Sequence, residues 1–224
     1  MPYLSKIDLN PLRRGAQRLL SNPQALHAAV LGGLPHQPVT ERVLWREERH
    51  PHVCSLLVLT RSEPSWEHIV EQAGWSAGAA AGLVRDLAPV LDMAVRGREF
   101  GFKVRANPVM SVKPSGREHV DGPVRGVRRP HMTAGHQLEW FLTRAREGRW
   151  GFAIGPEDAP GVQLVARERV RFARVSGRPP VTLSRATFEG RLQVTDPEVF
   201  RQTLLDGIGP AKAYGCGLLT VAAI

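Results

Sequence analysis

Apolar and polar residues alternate along the first segment of the chain. Over residues 3–9, most apolar side chains fall on one face of an extended chain, whereas Lys6 and Asp8 fall on the other. This two-residue period predicts a half-buried strand. A helix is predicted to begin at Asn22-Pro23, because an N-cap residue there precedes a proline at the first helical position.

The first half of the chain shows the element order of a known fold. It is predicted to contain, in order, a strand at 3–9, helices at 12–20 and 23–31, strands at 42–47 and 53–61, a helix at 65–72 and a strand at 98–106. Strand, helix, strand, strand, helix, strand is the ferredoxin-like order. No state is predicted for residues 74–83. Phe100 and Phe102 in the last strand are predicted to be core residues.

The same pattern recurs in the second half. It is predicted to contain a helix at 137–147, strands at 150–154, 162–175 and 185–195, a helix at 196–206 and a strand at 218–224. Residues 111–135, rich in Pro, Gly and Arg, are predicted to form a connection or mobile loop. We therefore predict an α+β protein with two tandem ferredoxin-like (RRM-like) βαββαβ domains, at residues 1–110 and 111–224.

Composition is that of a folded protein without a membrane span. Of the 224 residues, 42% are hydrophobic and 23% are charged, which fits two compact domains. The longest apolar run, residues 56–59, is far shorter than the roughly 18 residues that a membrane span requires, and the N-terminus does not resemble a signal peptide. We expect a soluble, cytoplasmic protein that is monomeric when free. The two cysteines lie far apart in sequence, so neither a disulfide framework nor a structural zinc cage is predicted. No metal site and no cofactor are predicted.

Positive charge is concentrated in the second part of the chain. The net charge is +9, from 30 Lys and Arg against 21 Asp and Glu. Residues 1–95 hold 9 basic and 9 acidic side chains, so residues 96–224 hold the remaining 21 and 12. Such a localised excess favours a polyanionic partner, with nucleic acid the leading candidate. The alternative is arginine enrichment by a GC-rich genome, since only four of the 30 are Lys.

Three groups of cations are candidates for binding RNA. One lies on the first helix, where two arginines one turn apart can form a cationic patch, although solvated helix charge is an equal alternative. Another lies on the strand from 167, where alternate arginines share one face suited to an RNA backbone. The third lies in the 111–135 connection. The candidate residues are Arg13, Arg14, Arg18, Lys113, Arg128, Arg129, Arg167, Arg169, Arg171 and Arg174.

The glycine-rich segment at residues 207–217 is the most unusual local sequence. It fails the Walker pattern, because Ala rather than Gly precedes Lys212, and it fails the dinucleotide fingerprint as well. Its glycines could still bring backbone N–H groups close to a phosphate, with Lys212 adding a charge. The alternative is a tight turn whose glycines occupy positive-φ positions. The candidate loop residues are Gly207, Gly209, Lys212, Gly215 and Gly217.

Four segments together resemble one protein family. They are residues 4–6, 21–27, 105–108 and 207–219, of which the last is the most specific. The chain resembles the CRISPR-associated repeat-processing endoribonucleases of type I-E systems, the CasE subunit of the Cascade complex. The resemblance implies a tandem ferredoxin-like fold and metal-independent cleavage of precursor CRISPR RNA at the repeat stem-loop. It also implies retention of the product together with other Cascade subunits.

The resemblance makes His27 the catalytic residue. An imidazole can take a proton from the attacking 2′-hydroxyl or give one to the departing 5′-oxygen at neutral pH, which would yield a 2′,3′-cyclic phosphate and a 5′-hydroxyl. Some relatives carry Tyr three residues before this histidine, where this chain has Gln24. Gln24 can position a phosphate oxygen but cannot move a proton in this range. Either His27 performs one transfer while a cation or the RNA assists the other, or a second acid–base group comes from elsewhere.

Two other functions remain open from the residues alone. The absence of a second acid–base group beside His27 is compatible with a non-catalytic subunit that binds an RNA hairpin and assists assembly. A weaker alternative is a nucleotide-binding enzyme that uses residues 207–217.

Overall fold

The computed structural model describes residues 1–51, 53–75, 82–112, 127–155, 161–173 and 179–224. Its core consists of two antiparallel sheets, each covered by helices on one face. The alternation predicted for the first strand is confirmed, since Ile7 and Leu9 are fully buried and Lys6 and Asp8 are exposed.

The first sheet has the strand order β2-β3-β1-β4. Its strands are β1 (Tyr3–Leu9), β2 (Leu44–Arg49), β3 (Cys54–Thr60) and β4 (Leu83–Asp86). The helices that pack on it are α1 (Arg14–Ser21), α2 (Pro23–Leu31) and α3 (Glu67–Ala73). The Asn22 side chain accepts a hydrogen bond from the Gln24 N–H, so the predicted cap of α2 is present. This connectivity is the ferredoxin-like order.

The second sheet has the order β11-β5-β10, and both β8 and β9 pair with β10. Its strands are β5 (Glu99–Ala106), β8 (Phe152–Ala153), β9 (Val162–Phe172), β10 (Val181–Val194) and β11 (Leu219–Ala223). Helices α5 (Ala134–Arg146) and α6 (Pro197–Asp206) cover it, and α4 (Ala88–Asp92) precedes β5. Phe100 and Phe102 are core residues, as predicted, at 1% and 5% exposure. Two tandem ferredoxin-like folds are confirmed.

One strand belongs to the other sheet. The strand predicted at 98–106 was assigned to the first domain, but β5 pairs with β10 and β11 of the second sheet. The fourth strand of the first sheet is instead β4, which pairs with β1. A four-residue strand next to a stretch without a clear pattern gives little periodic signal, whereas β5 supplies the apolar alternation of any half-buried strand. The boundary predicted at residue 110 stays a prediction, and the pairing of β5 favours an earlier one.

The predicted connection at 111–135 is in part a hairpin. β6 (Val109–Val112) pairs with β7 (Val127–Pro130), and these two strands form a separate small sheet. Residues 113–126 lie outside the described residues, and so does the candidate Lys113.

Strand β2 ties the two sheets together through Arg46. This side chain is 1% exposed, and its guanidinium donates hydrogen bonds to the carbonyls of Lys103 and Leu218 at 3.0 and 2.8 Å and to the Thr220 hydroxyl at 2.8 Å. All three acceptors lie in or next to β5 and β11. Strand β2 of the first sheet is therefore anchored to the second sheet by a nearly fully buried cation.

Candidate functional site

His27 lies at the edge of the buried face of α2. Leu26 and Val30 on the same helix are 2% and 0% exposed, whereas the His27 ring is half-buried. Its Nδ1 accepts a hydrogen bond from the indole Nε1–H of Trp45 at 3.3 Å. Burial lowers the pKa of His27 below its usual value of 6.5, since the charged form loses hydration. At neutral pH the ring is therefore neutral and partly accessible.

The glycine-rich segment packs against β2 beside this histidine. Gly215 has a φ of +75°, and a Cβ at this position would lie 2.7 Å from Cζ3 of Trp45 and 3.1 Å from Oε2 of Glu47. A Cβ on Gly207 would lie 2.8 Å from Cδ1 of Leu44. Glycine is therefore required at these two positions both for the backbone conformation and for close approach to β2.

Several backbone N–H groups of this segment are engaged within the protein. The Ile208 N–H donates to the Gly217 carbonyl at 2.9 Å, the Tyr214 N–H to the Ala211 carbonyl at 2.9 Å, and the Gly217 N–H to the Arg105 carbonyl at 2.7 Å. These three amides are not available to a phosphate. The tight-turn alternative therefore accounts for much of the glycine pattern, and the nucleotide-binding alternative loses support.

A cavity of about 710 Å³ borders the glycine-rich segment. Four cationic side chains line it, and its described lining contains no carboxylate. They are Arg42, Arg128, Arg144 and Lys212. The pKa of Lys212 is lowered, first by burial and then by repulsion from Arg42. The arrangement concentrates positive charge at a concave surface, which is suited to backbone phosphates.

A smaller cavity of about 290 Å³ lies on the side of α2 that faces the second sheet. Its walls include Leu26 and Trp45 from the first domain and Arg169 from β9. Glu47 and Arg185, both nearly fully buried, also line it. Of these residues, only Arg169 was predicted from the sequence to belong to a binding surface.

The predicted arginines on β9 and β7 have different surroundings. Arg167 donates to the Gln137 side chain at 2.9 Å and to the Met132 carbonyl, so it also attaches β9 to α5. Arg171 is exposed. Arg128 lines the larger cavity, and Arg129, its neighbour on β7, points to the other face of the strand. Arg174 lies outside the described residues.

Two of the three arginines at the start of and within α1 contact the end of α3. The Arg13 guanidinium donates to the Gly74 carbonyl at 2.9 Å, and the Arg18 guanidinium donates to the Gln72 side chain at 3.2 Å. Arg14 is exposed. Two of the three candidates therefore contribute to helix packing, and a role in RNA binding stays a prediction for all three.

Sequence reasoning missed two cations of the larger cavity and the partner of His27. Arg42 precedes β2, Arg144 stacks over the Trp140 ring of α5 at 4.5 Å, and Trp45 is a core residue of the first sheet. No local pattern distinguishes these residues, because the site is assembled from segments far apart in the chain.

Two kinds of feature are absent from the described residues. Within those ranges, no group of three or more His, Cys, Asp or Glu side chains is arranged to hold a metal ion. No helix among the described residues combines the length and apolarity needed to cross a bilayer.

Comparisons with known proteins place the chain in a family. The profile of the family described as CRISPR associated protein matches residues 2–223. The CRISPR-associated endoribonuclease Cse3 of Thermus thermophilus is 31% identical, over 98% of this chain and 99% of that protein. The Cascade subunit CasE of Escherichia coli is 28% identical, over 98% of each. A solved structure of Thermus thermophilus Cse3 bound to an RNA representing a pre-cleavage complex matches with a TM-score of 0.78 and 30% identity, over 99% of this chain and 98% of that one. The chain therefore belongs to the CRISPR-associated protein family that includes Cse3 and CasE.

Proposed function

We propose that this protein is an endoribonuclease that cleaves precursor CRISPR RNA at the repeat stem-loop. It acts without a metal ion, stays bound to the mature guide RNA in the cytoplasm, and serves there as a subunit of a Cascade complex. The observation that carries the proposal is the half-buried His27, whose ring accepts a hydrogen bond from Trp45. The family supports it, because a structure of the relative Cse3 was solved with an RNA representing a pre-cleavage complex.

RNA binding is assigned to the cationic surfaces. The larger cavity offers four cations beside the glycine-rich segment, and Arg169 and Arg171 extend the positive surface along β9. A hairpin stem presents regularly spaced phosphates, and a folded RNA is recognised mainly through its shape and backbone. Among the described residues that line the two cavities, the one aromatic side chain is the fully buried Trp45, so phosphate contacts rather than base stacking provide the affinity.

Cleavage is assigned to an internal transesterification. The 2′-oxygen next to the cut forms a bond to phosphorus, the bond from phosphorus to the 5′-oxygen breaks, and one proton leaves the 2′-hydroxyl while another reaches the 5′-oxygen. His27 assists one of these events, since its imidazole is neutral and partly accessible. Gln24 lies one helical turn before it on α2 and can position a phosphoryl oxygen. The products are a 2′,3′-cyclic phosphate and a 5′-hydroxyl.

A cleavage assay with the host's repeat RNA tests the proposal. His27→Ala is expected to bind the hairpin with unchanged affinity and to leave it uncut, whereas His36→Ala, at an exposed position, cuts at the wild-type rate. Excess chelator leaves cleavage intact, and a 2′-deoxy substitution at the cut site abolishes it. A requirement for magnesium would overturn the mechanism, and equal loss of binding in His27→Ala would make this residue an RNA contact instead.

A second function is favoured by one observation. Gln24 stands where some relatives carry a proton-transferring Tyr, and this absence is compatible with an RNA-hairpin-binding subunit that does not cut. Unchanged repeat RNA after prolonged incubation with the pure protein, together with tight binding, would establish that alternative.

A further inference from the structure

The buried indole of Trp45 contacts one of the two ring nitrogens of His27. Trp45 is 0% exposed, and its Nε1–H donates to Nδ1 of His27 at 3.3 Å. An indole nitrogen can only donate a hydrogen bond, so the imidazole nitrogen that it contacts must accept and must carry no proton. This single contact therefore determines where the proton of the neutral ring lies.

The contact with Trp45 also determines which ring nitrogen carries the proton. A neutral imidazole carries one proton, and with Nδ1 accepting from Trp45 that proton is on Nε2. A second proton on Nδ1 would place two N–H groups against each other at the same contact. The geometry and the burial of the ring therefore both disfavour the imidazolium, and they leave the single ring proton on Nε2.

Trp45 cannot turn away from this contact. It pairs with Val58 in the middle of the first sheet and belongs to the core beneath α2. Gly215, with a φ of +75°, brings its backbone against the opposite part of the ring, where even a Cβ would lie 2.7 Å from Cζ3. The glycine-rich segment therefore holds the indole in place, and the indole in turn holds the imidazole.

Charged groups on the elements around α2 have other partners or lie outside this contact. Glu47 on β2 pairs with Arg105 and Arg185, and the His68 ring on α3 contacts the Ala29 carbonyl. The other ionisable side chains on these elements are Arg14 and Arg18 on α1, Arg46, Glu48 and Arg49 on β2, Cys54 on β3, Glu67 and Glu71 on α3, and Lys212 and Tyr214 next to Gly215. The only hydrogen-bond partner recorded for the His27 ring among the described residues is Trp45.

We infer that Trp45 is a positioning residue that holds His27 as the Nε2–H tautomer, so that the ring presents a hydrogen-bond donor to the RNA. The inference rests on the proposed function and deepens it. In this tautomer Nε2–H donates a hydrogen bond to a phosphoryl oxygen or to the departing 5′-oxygen but keeps its proton, because losing it would leave an imidazolate, and Nε2 cannot accept the proton of the 2′-hydroxyl. That proton therefore leaves to another acceptor, such as water, and water also supplies the proton that the 5′-oxygen takes up.

Nitrogen-15 NMR of the free protein tests the tautomer without RNA. With ¹⁵N-labelled histidine at a pH above 7, we expect the unprotonated ring nitrogen of His27, identified by its far-downfield signal, to be Nδ1. An unprotonated Nε2 would overturn the inference. This measurement needs no variant, and its outcome is independent of whether the protein cuts RNA, so it separates failure of the inference from failure of the proposed function.

Two tryptophan variants test the role of the contact. Trp45→Phe keeps an aromatic ring but removes the donor, and the pKa of His27 is expected to rise toward 6.5, with the acidic limb of the cleavage pH profile moving to higher pH. The single-turnover rate should fall about threefold to tenfold with unchanged RNA affinity, the range set by the net worth of one hydrogen bond.

Trp66→Phe is the matched control. Trp66 is 1% exposed in the same core, and its Nε1 has no hydrogen-bond partner among the described residues. Trp66→Phe should leave the nitrogen-15 spectrum of His27 and the pH profile of cleavage unchanged. The inference is overturned if Trp45→Phe gives the wild-type spectrum and profile, or if Trp66→Phe shifts both as far as Trp45→Phe does.

Discussion

Replacing Glu47 by Gln should destabilise the protein far more than an ordinary surface ion pair would. The Glu47 carboxylate, 5% exposed, lies 2.9 Å from Nη1 of Arg105 and 3.0 Å from Nη1 of Arg185. The two arginines are 7% and 3% exposed and belong to β5 and β10 of the second sheet. One carboxylate on β2 thus compensates two buried guanidinium groups across the contact between the sheets.

The expected loss of stability depends on the interactions that the two arginines keep after Glu47→Gln. A glutamine side chain would fit the same space but would leave Arg105 without an ion-pair partner among the described residues. Arg185 would keep only the partly exposed carboxylate of Glu168, 3.8 Å away. Breaking a buried ion pair from one side costs about 3–5 kcal/mol. Hydrogen bonds from Arg105 to the backbone carbonyl of residue 47 and from Arg185 to the Tyr214 carbonyl persist, which favours the lower end of this range. A typical domain has about 5–15 kcal/mol of stability in total.

Urea unfolding followed by circular dichroism measures this loss. The control is Glu198→Gln, because Glu198 pairs with Arg201 at 2.6 Å but is 86% exposed, and such pairs contribute no more than about 1 kcal/mol. Raising the salt concentration to about 0.5 M should leave the Glu47→Gln deficit in place, since buried charges are weakly screened. A deficit no larger than that of Glu198→Gln would refute the assignment of a buried ionic link between the sheets.

Two further substitutions test the glycine-rich segment. Gly215→Ala is expected to reduce both cleavage and stability. The left-handed backbone alone should lower the free energy of unfolding by about 1–3 kcal/mol, and the steric contact of the new Cβ with Trp45 should lower it further. Gly148→Ala has a similar φ of +69° with nothing within 4 Å of the added Cβ, so the difference between the two variants isolates that contact, and equal losses would contradict it. Lys212→Met should weaken binding of the repeat RNA and lower the salt dependence by about one phosphate contact. Lys6→Met, at an exposed lysine on β1, should change neither the RNA affinity nor its salt dependence. If Lys6→Met and Lys212→Met had equal effects, Lys212 would not be part of the RNA-binding surface.

Local structure was largely determined by the sequence alone. The strand alternation of β1 and the caps of α2 and α6 were predictable, because each depends on residues only a few positions apart. The Asp196 side chain, for example, accepts from the N–H groups of Glu198 and Val199 at the start of α6. The motifs that place the chain in its family are likewise contiguous, so the family could be recognised, and His27 predicted as its catalytic residue, before any contact was known.

The tertiary structure decided which of these elements meet. Whether β5 joins the first or the second sheet depends on pairing partners at least 80 residues away along the chain, and a half-buried strand has the same apolar period in either place. The four cations of the larger cavity come from four separate segments. The donor to His27 lies 18 residues away on another element. The periodicity of a sequence indicates which side of an element is buried but not which residues it packs against. The inferred position of the proton on His27 depends on such a packing contact, the one with Trp45.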